Sequence, residues 1–399
     1  MSRPPVSRHE RRAVAILAIG FGLVGIDRFL ISTLYPTIAR DLGLGYADIG
    51  VIAGALALAW GVAALVMGNL SDRIGHRPVL VGSLVIFSLL IGGSGLATGL
   101  GGLILVRVVM GFADGAYTPA SIAATICASP PERHGGNVGL QQTMLVLFGL
   151  GLSPLLVGVL LRAGLDWRYI FLVFTLPGLV VAWATWRIIP PAPIATGKRA
   201  SVADWRAVLA YRNIRLLMAG MLCWLTCLIV TSAFLPSYLV DHLKLDADRM
   251  GMVMSAIGFG AVAGTILMSA LSDRIGRRPV MVMSAIGTLA ALVALSRTGA
   301  TAGPLFACLF AVHFFNNALI TLTVGPIAIE TVPLTLMTTA SGVVIATGEV
   351  LGGGIAPMLG GWVAEYFGIR HILWLPIAAM AAGILLCLAL DETHKKATP

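Results

Sequence analysis

Nine residues, Leu70-Ser-Asp-Arg-Ile-Gly-His-Arg-Pro78, return with one change as Leu271-Ser-Asp-Arg-Ile-Gly-Arg-Arg-Pro279, 201 positions later in a chain of 399 residues. A near-identity of this length at half the chain length requires a duplicated unit. Each copy of the charged nonapeptide lies between two long apolar runs. The repeat therefore marks the same short hairpin in two membrane-embedded halves, the plan of many secondary transporters.

The surrounding sequence has room for little else. Hydrophobic residues make up 58% of the chain and charged residues only 11%, with a mean hydropathy of +0.92, whereas a soluble domain carries about 25% charged residues. Apolar runs of roughly 20 residues or more predict an all-α membrane protein with twelve transmembrane helices. These spans, numbered in chain order, fall near 13–36, 47–70, 79–98, 102–127, 137–161, 169–189, 214–238, 248–271, 280–297, 303–329, 337–364 and 371–390. Lys and Arg set the expected orientation. The loops on the side of the termini, with the termini themselves, hold eighteen of them, including Arg8, Arg11, Arg12, Arg73, Arg77, Arg133, Lys198, Arg199, Arg274, Arg277 and Arg278. The opposite loops hold seven, from Arg40 to Arg370. The positive-inside rule then predicts both termini in the cytoplasm and a multi-pass protein of the plasma membrane, here a bacterial inner membrane. The net charge of +9 reads as a signal of topology and of lipid contact, not of nucleic-acid binding. The basic N-terminus resembles a secretory leader, but the apolar run behind it is too long and contains Asp27 and Arg28, so it is read as span 1. Cys127, Cys223, Cys227, Cys308 and Cys387 lie in or at the ends of spans without a CxxC pair, which points to apolar filler over metal or redox chemistry.

The longest polar connection, 190–213, opens with Pro190, Pro191 and Pro193. It divides the chain into an N-terminal six-helix bundle (1–189), a cytoplasmic linker (190–213) and a C-terminal six-helix bundle (214–399). Ser201 to Tyr211 within the linker reads either as a short interfacial helix or as a tether. A weaker echo supports the duplication: Trp167-Arg-Tyr-Ile-Phe171 opens span 6 and Ile369-Arg-His-Ile-Leu373 opens span 12. Glycines inside spans, such as Gly111, Gly115, Gly352 and Gly353, predict close helix approach.

Twelve spans, a central loop and a repeated Asp-Arg-x-Gly-x-Arg hairpin resemble the major facilitator superfamily over essentially the whole chain. The superfamily's loop signature is complete as Gly68, Asp72, Arg73, Gly75 and Arg77; in the second half Ser269 replaces the leading glycine while Asp273, Arg274, Gly276 and Arg278 remain. Span 4 matches as Arg107-x-x-x-Gly111-x-x-x-Gly115-x-x-x-Pro119, and span 11 as Gly352-Gly-Gly-Ile-Ala-Pro357. The resemblance implies that the hairpins form a latch closing the cytoplasmic side. Independently of it, Gly75 and Gly276 supply turns free of a Cβ penalty. Asp72 and Asp273 can meet a neighbouring helix N-terminus or an Arg across the bundle. Topological anchoring by the arginines alone is the plainer alternative.

Five ionisable residues fall well inside spans: Asp27, Arg28, Arg107, Asp114 and Glu349. Each costs about 2.5–3.5 kcal/mol on insertion scales, so each needs a partner or a wet cavity. At about 1.5 Å per residue, Asp27 and Asp114 both lie roughly 20 Å from a span end, near mid-membrane, and the seven residues from Arg107 to Asp114 bring that pair to nearly one face. A carboxylate exchanging between isolation and an Arg neighbour as the helices rock would load and release a proton. A static Asp–Arg pair joining spans 1 and 4 is the structural alternative. Adjacent residues on a helix point about 100° apart, so Asp27 and Arg28 are expected to serve different surfaces, one toward span 4 and one toward the cavity.

Asp27-Arg28, and Arg107 with Gly111-Phe-Ala-Asp114 and Pro119, resemble the anion:cation symporter branch, which includes sialin and bacterial sugar-acid transporters. That resemblance implies Arg28 as the site for a substrate carboxylate, which a guanidinium fork suits, and Asp27 and Asp114 as proton carriers. The branch usually has Glu at the second acid, and Gly25-Ile26 replaces the Asn-Tyr that often precedes the first.

In the second half, His313, Asn316 and Asn317 share a face of span 10 and are candidates to complete the substrate site; packing is the alternative for them. Glu349, at similar depth in span 11, is either a further proton site or a hydrogen-bonded partner of span 10. Glu330 is expected in an interfacial salt bridge. No GxxxxGK[ST], HExxH or GxSxG motif occurs, so nothing supports an enzyme, a metal site or a cofactor. The expectation is a proton-coupled symporter of a small organic anion, functional as a monomer and driven by the proton gradient. A proton-coupled exporter of drugs or metabolites is the alternative.

Overall fold

A computed structural model describes residues 7–191, 202–333 and 336–393, with side chains described at these positions except 64–73, 202, 203 and 338. Among them run twelve helices long and apolar enough to cross a membrane: Arg8–Leu42, Tyr46–Ala63, His76–Ser94, Leu100–Ala128, Pro131–Arg162, Trp167–Ile188, Arg212–His242, Ala247–Ile275, Arg277–Arg297, Ala302–Thr331, Thr339–Phe367 and Ile369–Ala389. The helix of span 2 continues to Ile74.

The helix ends follow local chemistry more than hydropathy. Span 1 starts in a capping box, with the Ser7 hydroxyl accepting from Glu10 N–H at 3.0 Å. It runs on through Pro36 to Leu42, where hydropathy alone ends it at 36. The extension is tolerated because Arg40 and Asp41 find ionic partners in Asp241 and Arg168, and Gly43 closes the helix in the left-handed region at φ +65°. The two nonapeptide hairpins turn at Gly75 (φ 89°) and Gly276 (φ 107°). A short helix, Val202–Ala210, lies in the linker.

Spans 5, 7, 10 and 11 each contain a π-helical turn, at Leu147–Leu152, Tyr238–His242, Thr323–Ile327 and Gly348–Ile355. A proline lies in or beside each: Pro154, Pro236, Pro326 and Pro357. At Pro154, Pro326 and Pro357 the missing proline N–H frees the carbonyl four residues upstream, which lies in or next to the widened turn; Pro236 precedes its π turn, which this does not explain.

Spans 1–6 pack among themselves, chiefly 2 on 4 and 3 on 4 and 6. Spans 7–12 do likewise, chiefly 8 and 9 on 10, and 7 and 9 on 12. The halves meet through spans 2 and 11, 5 and 8, and 1 and 7. Small residues bring these backbones together: a Cβ on Gly54 would lie 2.7 Å from the Gly354 carbonyl oxygen, and one on Gly361 would lie 3.0 Å from Ala47 Cα.

Polar contacts between described residues of opposite halves gather at the ends away from the termini. Arg40 pairs with Asp241 at 3.1 Å and Arg162 with Asp248 at 2.8 Å. The Tyr46 hydroxyl donates to Asp241 at 3.2 Å. Glu365, at the end of span 11, accepts from the N–H groups of Tyr46 (2.7 Å) and Ala47 (3.3 Å), capping span 2 from the opposite half. On the terminus side, by contrast, the ion pairs Arg133–Glu10, Arg212–Asp391, Arg277–Asp273 and Arg277–Glu330 each stay within one half. In this structure the halves are closed on the side away from the termini.

Candidate functional site

The five membrane-embedded charges converge at mid-membrane, but their pairing differs from the simplest reading of the sequence. Asp27, Arg107 and Asp114 are fully buried. Arg107 makes no salt bridge among the described residues. One Nη donates to the backbone carbonyl of Asp27 at 2.7 Å and the other to Ser94 Oγ at 3.4 Å. Its charge still faces both aspartates. A static Asp–Arg ion pair between spans 1 and 4 is thereby replaced by an arginine holding the span 1 backbone.

The Asp27 and Asp114 carboxyl groups receive no hydrogen bond from other described groups, yet they face each other within hydrogen-bonding reach. A carboxyl–carboxyl hydrogen bond needs a proton, so this geometry suits a pair that holds one proton between them. The sequence places these acids on two helices at similar depth; their meeting follows from the packing of span 1 on span 4.

One residue along span 1, the helical step turns Arg28 to the other surface. Its two Nη atoms donate to Glu349 Oε1 at 3.3 Å and Oε2 at 2.7 Å, across the boundary between the halves. The Arg28 side chain is 8% exposed and that of Glu349 14%. The guanidinium lies 4.6 Å from the centroid of the Trp60 ring and 5.6 Å from that of Phe29, so aromatic faces hold it while its edge points at the carboxylate. The cavity beside it, lined by Arg28, Ser32, Leu56, Arg107, Ser232 and Gly353, measures about 20 Å³, room for about one water. Glu349, expected as a further proton site or as a partner of span 10, has Arg28 of span 1 as its ionic partner. Trp60 has no sequence signal beyond being a lone tryptophan in an apolar span.

His313, Asn316 and Asn317 do not line this cavity; each bonds to a neighbouring helix, the packing role that was the alternative to a place in the substrate site. His313 Nε2 meets Thr231 Oγ1 of span 7 at 3.1 Å. Asn316 donates to the Trp224 carbonyl at 3.1 Å, and Asn317 to the Ala261 carbonyl at 3.3 Å and Thr265 Oγ1 at 2.6 Å. Buried in helix–helix contacts, these polar groups take the nearest oxygen on spans 7 and 8 and pin span 10 to them.

The hairpins are placed on the terminus side. The side chains of Gly68, Asp72 and Arg73 lie outside the described residues. Arg77 stacks over Trp186, with 5.4 Å to the ring centroid. In the second half Asp273 pairs with Arg277 at 2.5 Å, across the Gly276 turn of its own hairpin and not across the bundle. Arg277 also holds Glu330 at 2.9 Å, while Arg278 donates to the Leu388 carbonyl at 2.6 Å. Glu392 accepts from the backbone N–H groups of Arg277 and Arg278, each at 3.0 Å. Among the described residues the exposed Arg274 has no polar partner. Arg277 is the one residue in which the two nonapeptides differ, with His76 in its place; that difference was the signal for its separate network.

Comparison with known proteins agrees with this architecture. The family profile described as Major Facilitator Superfamily matches residues 17–344 and 230–399. The sialic acid transporter NanX of Escherichia coli K12 is 23% identical over 401 residues, covering 98% of this chain and 96% of its own length. The 3-(3-hydroxy-phenyl)propionate transporter of the same organism is 31% identical over 279 residues, covering 68% and 67%. Among solved structures, a bacterial homolog of the human lysosomal transporter Spinster, in an inward-facing and occupied conformation, superposes with a TM-score of 0.82 at 16% identity, over 98% of this chain and 97% of its own. At that identity the likeness concerns the fold.

Proposed function

Because the chain belongs to the major facilitator superfamily, and is therefore a multi-pass membrane transporter, we propose that it carries a small organic anion together with protons, by alternating access of its two halves. Arg28 carries this reading. A guanidinium at mid-membrane, on the boundary between the halves and beside a cavity, already holds a carboxylate in its fork, and a planar carboxylate is the ligand such a fork favours. The two relatives named above are transporters of organic acids, which supports a carboxylate over a cation.

Asp27 and Asp114 are the proton store, with Arg107 fixing the backbone between them. Energy comes from the proton gradient, without a cofactor. The hairpin side faces the cytoplasm of a bacterial inner membrane, as its arginines favour. One chain holds both halves of the site, so a monomer suffices.

Sialic acid and 3-(3-hydroxyphenyl)propionate are the first anions to try in liposomes. Arg28→Ala is expected to abolish anion binding. Asp114→Asn is expected to permit exchange but not accumulation driven by a pH gradient. Normal transport by Arg28→Ala overturns the anion site. Protons moving opposite to the anion, instead of with it, make the protein an exporter.

A further inference from the structure

We propose that Glu349 is the internal stand-in for the substrate carboxylate: it occupies Arg28 in the empty carrier, is displaced by the arriving anion, and takes up a proton as it leaves. This rests on the reading of Arg28 as the anion site. Trp60 and Phe29 lie against the guanidinium and Glu349 fills its Nη edge with both oxygens, which leaves a further anion only the small cavity beside it. With about 20 Å³ beside it, no second carboxylate fits while Glu349 stays. Glu349 sits in the π-helical turn Gly348–Ile355, and Gly353, where a Cβ would come 2.9 Å from Glu349 Oε2, makes the room its carboxylate now takes beside Arg28.

The charges require the proton. Asp27, Asp114 and Glu349 face Arg28 and Arg107; with one proton shared by the two aspartates, two negative and two positive charges remain and the site is neutral. An added carboxylate leaves one uncompensated charge at mid-membrane, which insertion scales disfavour by about 2.5–3.5 kcal/mol. A proton from the water on the open side, forming an O–H bond on Glu349, restores neutrality. When the anion departs, Glu349 releases that proton and returns to Arg28. The groups facing Glu349 leave it this freedom. Span 1 presents Arg28, with Asp114 behind it on span 4. Around the same turn, span 2 presents Ala57 and Leu58, and span 7 Met221 and Leu225. Span 7 also carries the thiols of Cys223 and Cys227, the former turned to Cys387 of span 12, and the described remainder of span 11 has its ionisable residues at the far end, Glu365 and Tyr366.

The experiment uses the full chain in nanodiscs, benzoate as a generic carboxylate probe, and calorimetry in two buffers of different ionisation enthalpy to count protons. At pH 8, Glu349→Gln is expected to bind benzoate at least tenfold tighter than wild type and to take up about one proton fewer. If Glu349→Gln does not yield monodisperse protein, Glu349→Asp is read instead; shortened by one methylene but still charged, it is expected to bind more tightly than wild type while keeping the proton uptake. Equal affinity and equal proton uptake in wild type and variant, with binding lost in Arg28→Ala, overturn the role of Glu349 and leave the anion site standing. No benzoate binding by wild type, Glu349→Gln or Glu349→Asp overturns the anion site itself.

Discussion

The closure on the side away from the termini depends on a carboxylate that caps a helix of the opposite half, and removing it should shift the balance between closed and open forms by a calculable amount. Glu365 of span 11 accepts from the N–H groups of Tyr46 and Ala47, the first turn of span 2. These are two of the donors a helix start leaves unsatisfied. Truncating a capping acceptor costs about 0.5–2 kcal/mol, and the loss of a negative charge near a helix N-terminus about 0.3–1 kcal/mol more. Glu365 is exposed, so solvent holds the sum near the low end, about 1 kcal/mol. Because both bonds exist only while the halves touch, the whole effect falls on the closed form, and Glu365→Ala should raise the open-to-closed ratio about fivefold. Nitroxide labels at Gly99 and Thr301, in far-side loops of the two halves, read this ratio as a distance distribution by double electron–electron resonance. Glu365→Gln keeps an acceptor and loses the charge, and should shift the ratio about half as far in free energy. Asp48→Ala removes a cap to Gly45 N–H within the same half and should leave the ratio nearly unchanged. A folded Glu365→Ala protein with a wild-type distance distribution refutes the reasoning.

Other consequences can be measured on the purified protein. Asn317→Ala loses its bonds to span 8 and should lower stability by about 0.6–1.7 kcal/mol while changing anion affinity less than twofold; lost binding at an unchanged Tm would return Asn317 to the substrate site. Gly276→Ala forces a Cβ into φ 107° and to within 2.8 Å of Glu392 Oε2, so it should lower the melting temperature, with a penalty of at least about 1–2 kcal/mol from the backbone alone. Gly54→Val inserts a side chain where even a Cβ would lie 2.7 Å from the Gly354 carbonyl oxygen; the same nitroxide pair should then report the far side held open.

Much of the fold was legible because membrane insertion leaves few choices: apolar length gives the spans, and a repeated nonapeptide gives the duplication. The embedded charges were equally visible, since each is too unfavourable in lipid to be incidental. What the sequence hid was pairing. Nothing local distinguishes Arg107, whose guanidinium serves a backbone carbonyl, from Arg28, which holds a carboxylate of the opposite half. The i, i+3, i+4 pattern of His313, Asn316 and Asn317 placed them on one helical face but could not say that this face meets spans 7 and 8. Glu365 drew no attention because an acid at a span end is ordinary; its role exists only through the crossing of spans 2 and 11. The π-helical turns were hidden for a related reason, since a proline inside a span does not by itself widen the helix: Pro36, Pro119 and Pro177 lie in α-helical spans.

The adjacency of Asp27 and Arg28 ties these pairings into one device. Their side chains differ by one helical step, so one points into the first half, at Asp114, and the other out of it, at Glu349. A proton held by Asp27 and Asp114 therefore stays within a single packed body whichever way the halves tilt, whereas the anion position is complete only where the halves meet. Among the described residues Arg28–Glu349 is also the deepest polar bond between them, with Arg40–Asp241 and Glu365 at the far end of the same boundary. An anion that takes Glu349's place removes a cross-half bond as it binds and leaves closure to the far-end contacts alone. Loading the site and loosening the halves are then the same chemical event, which is the link an alternating-access carrier needs between occupancy and motion.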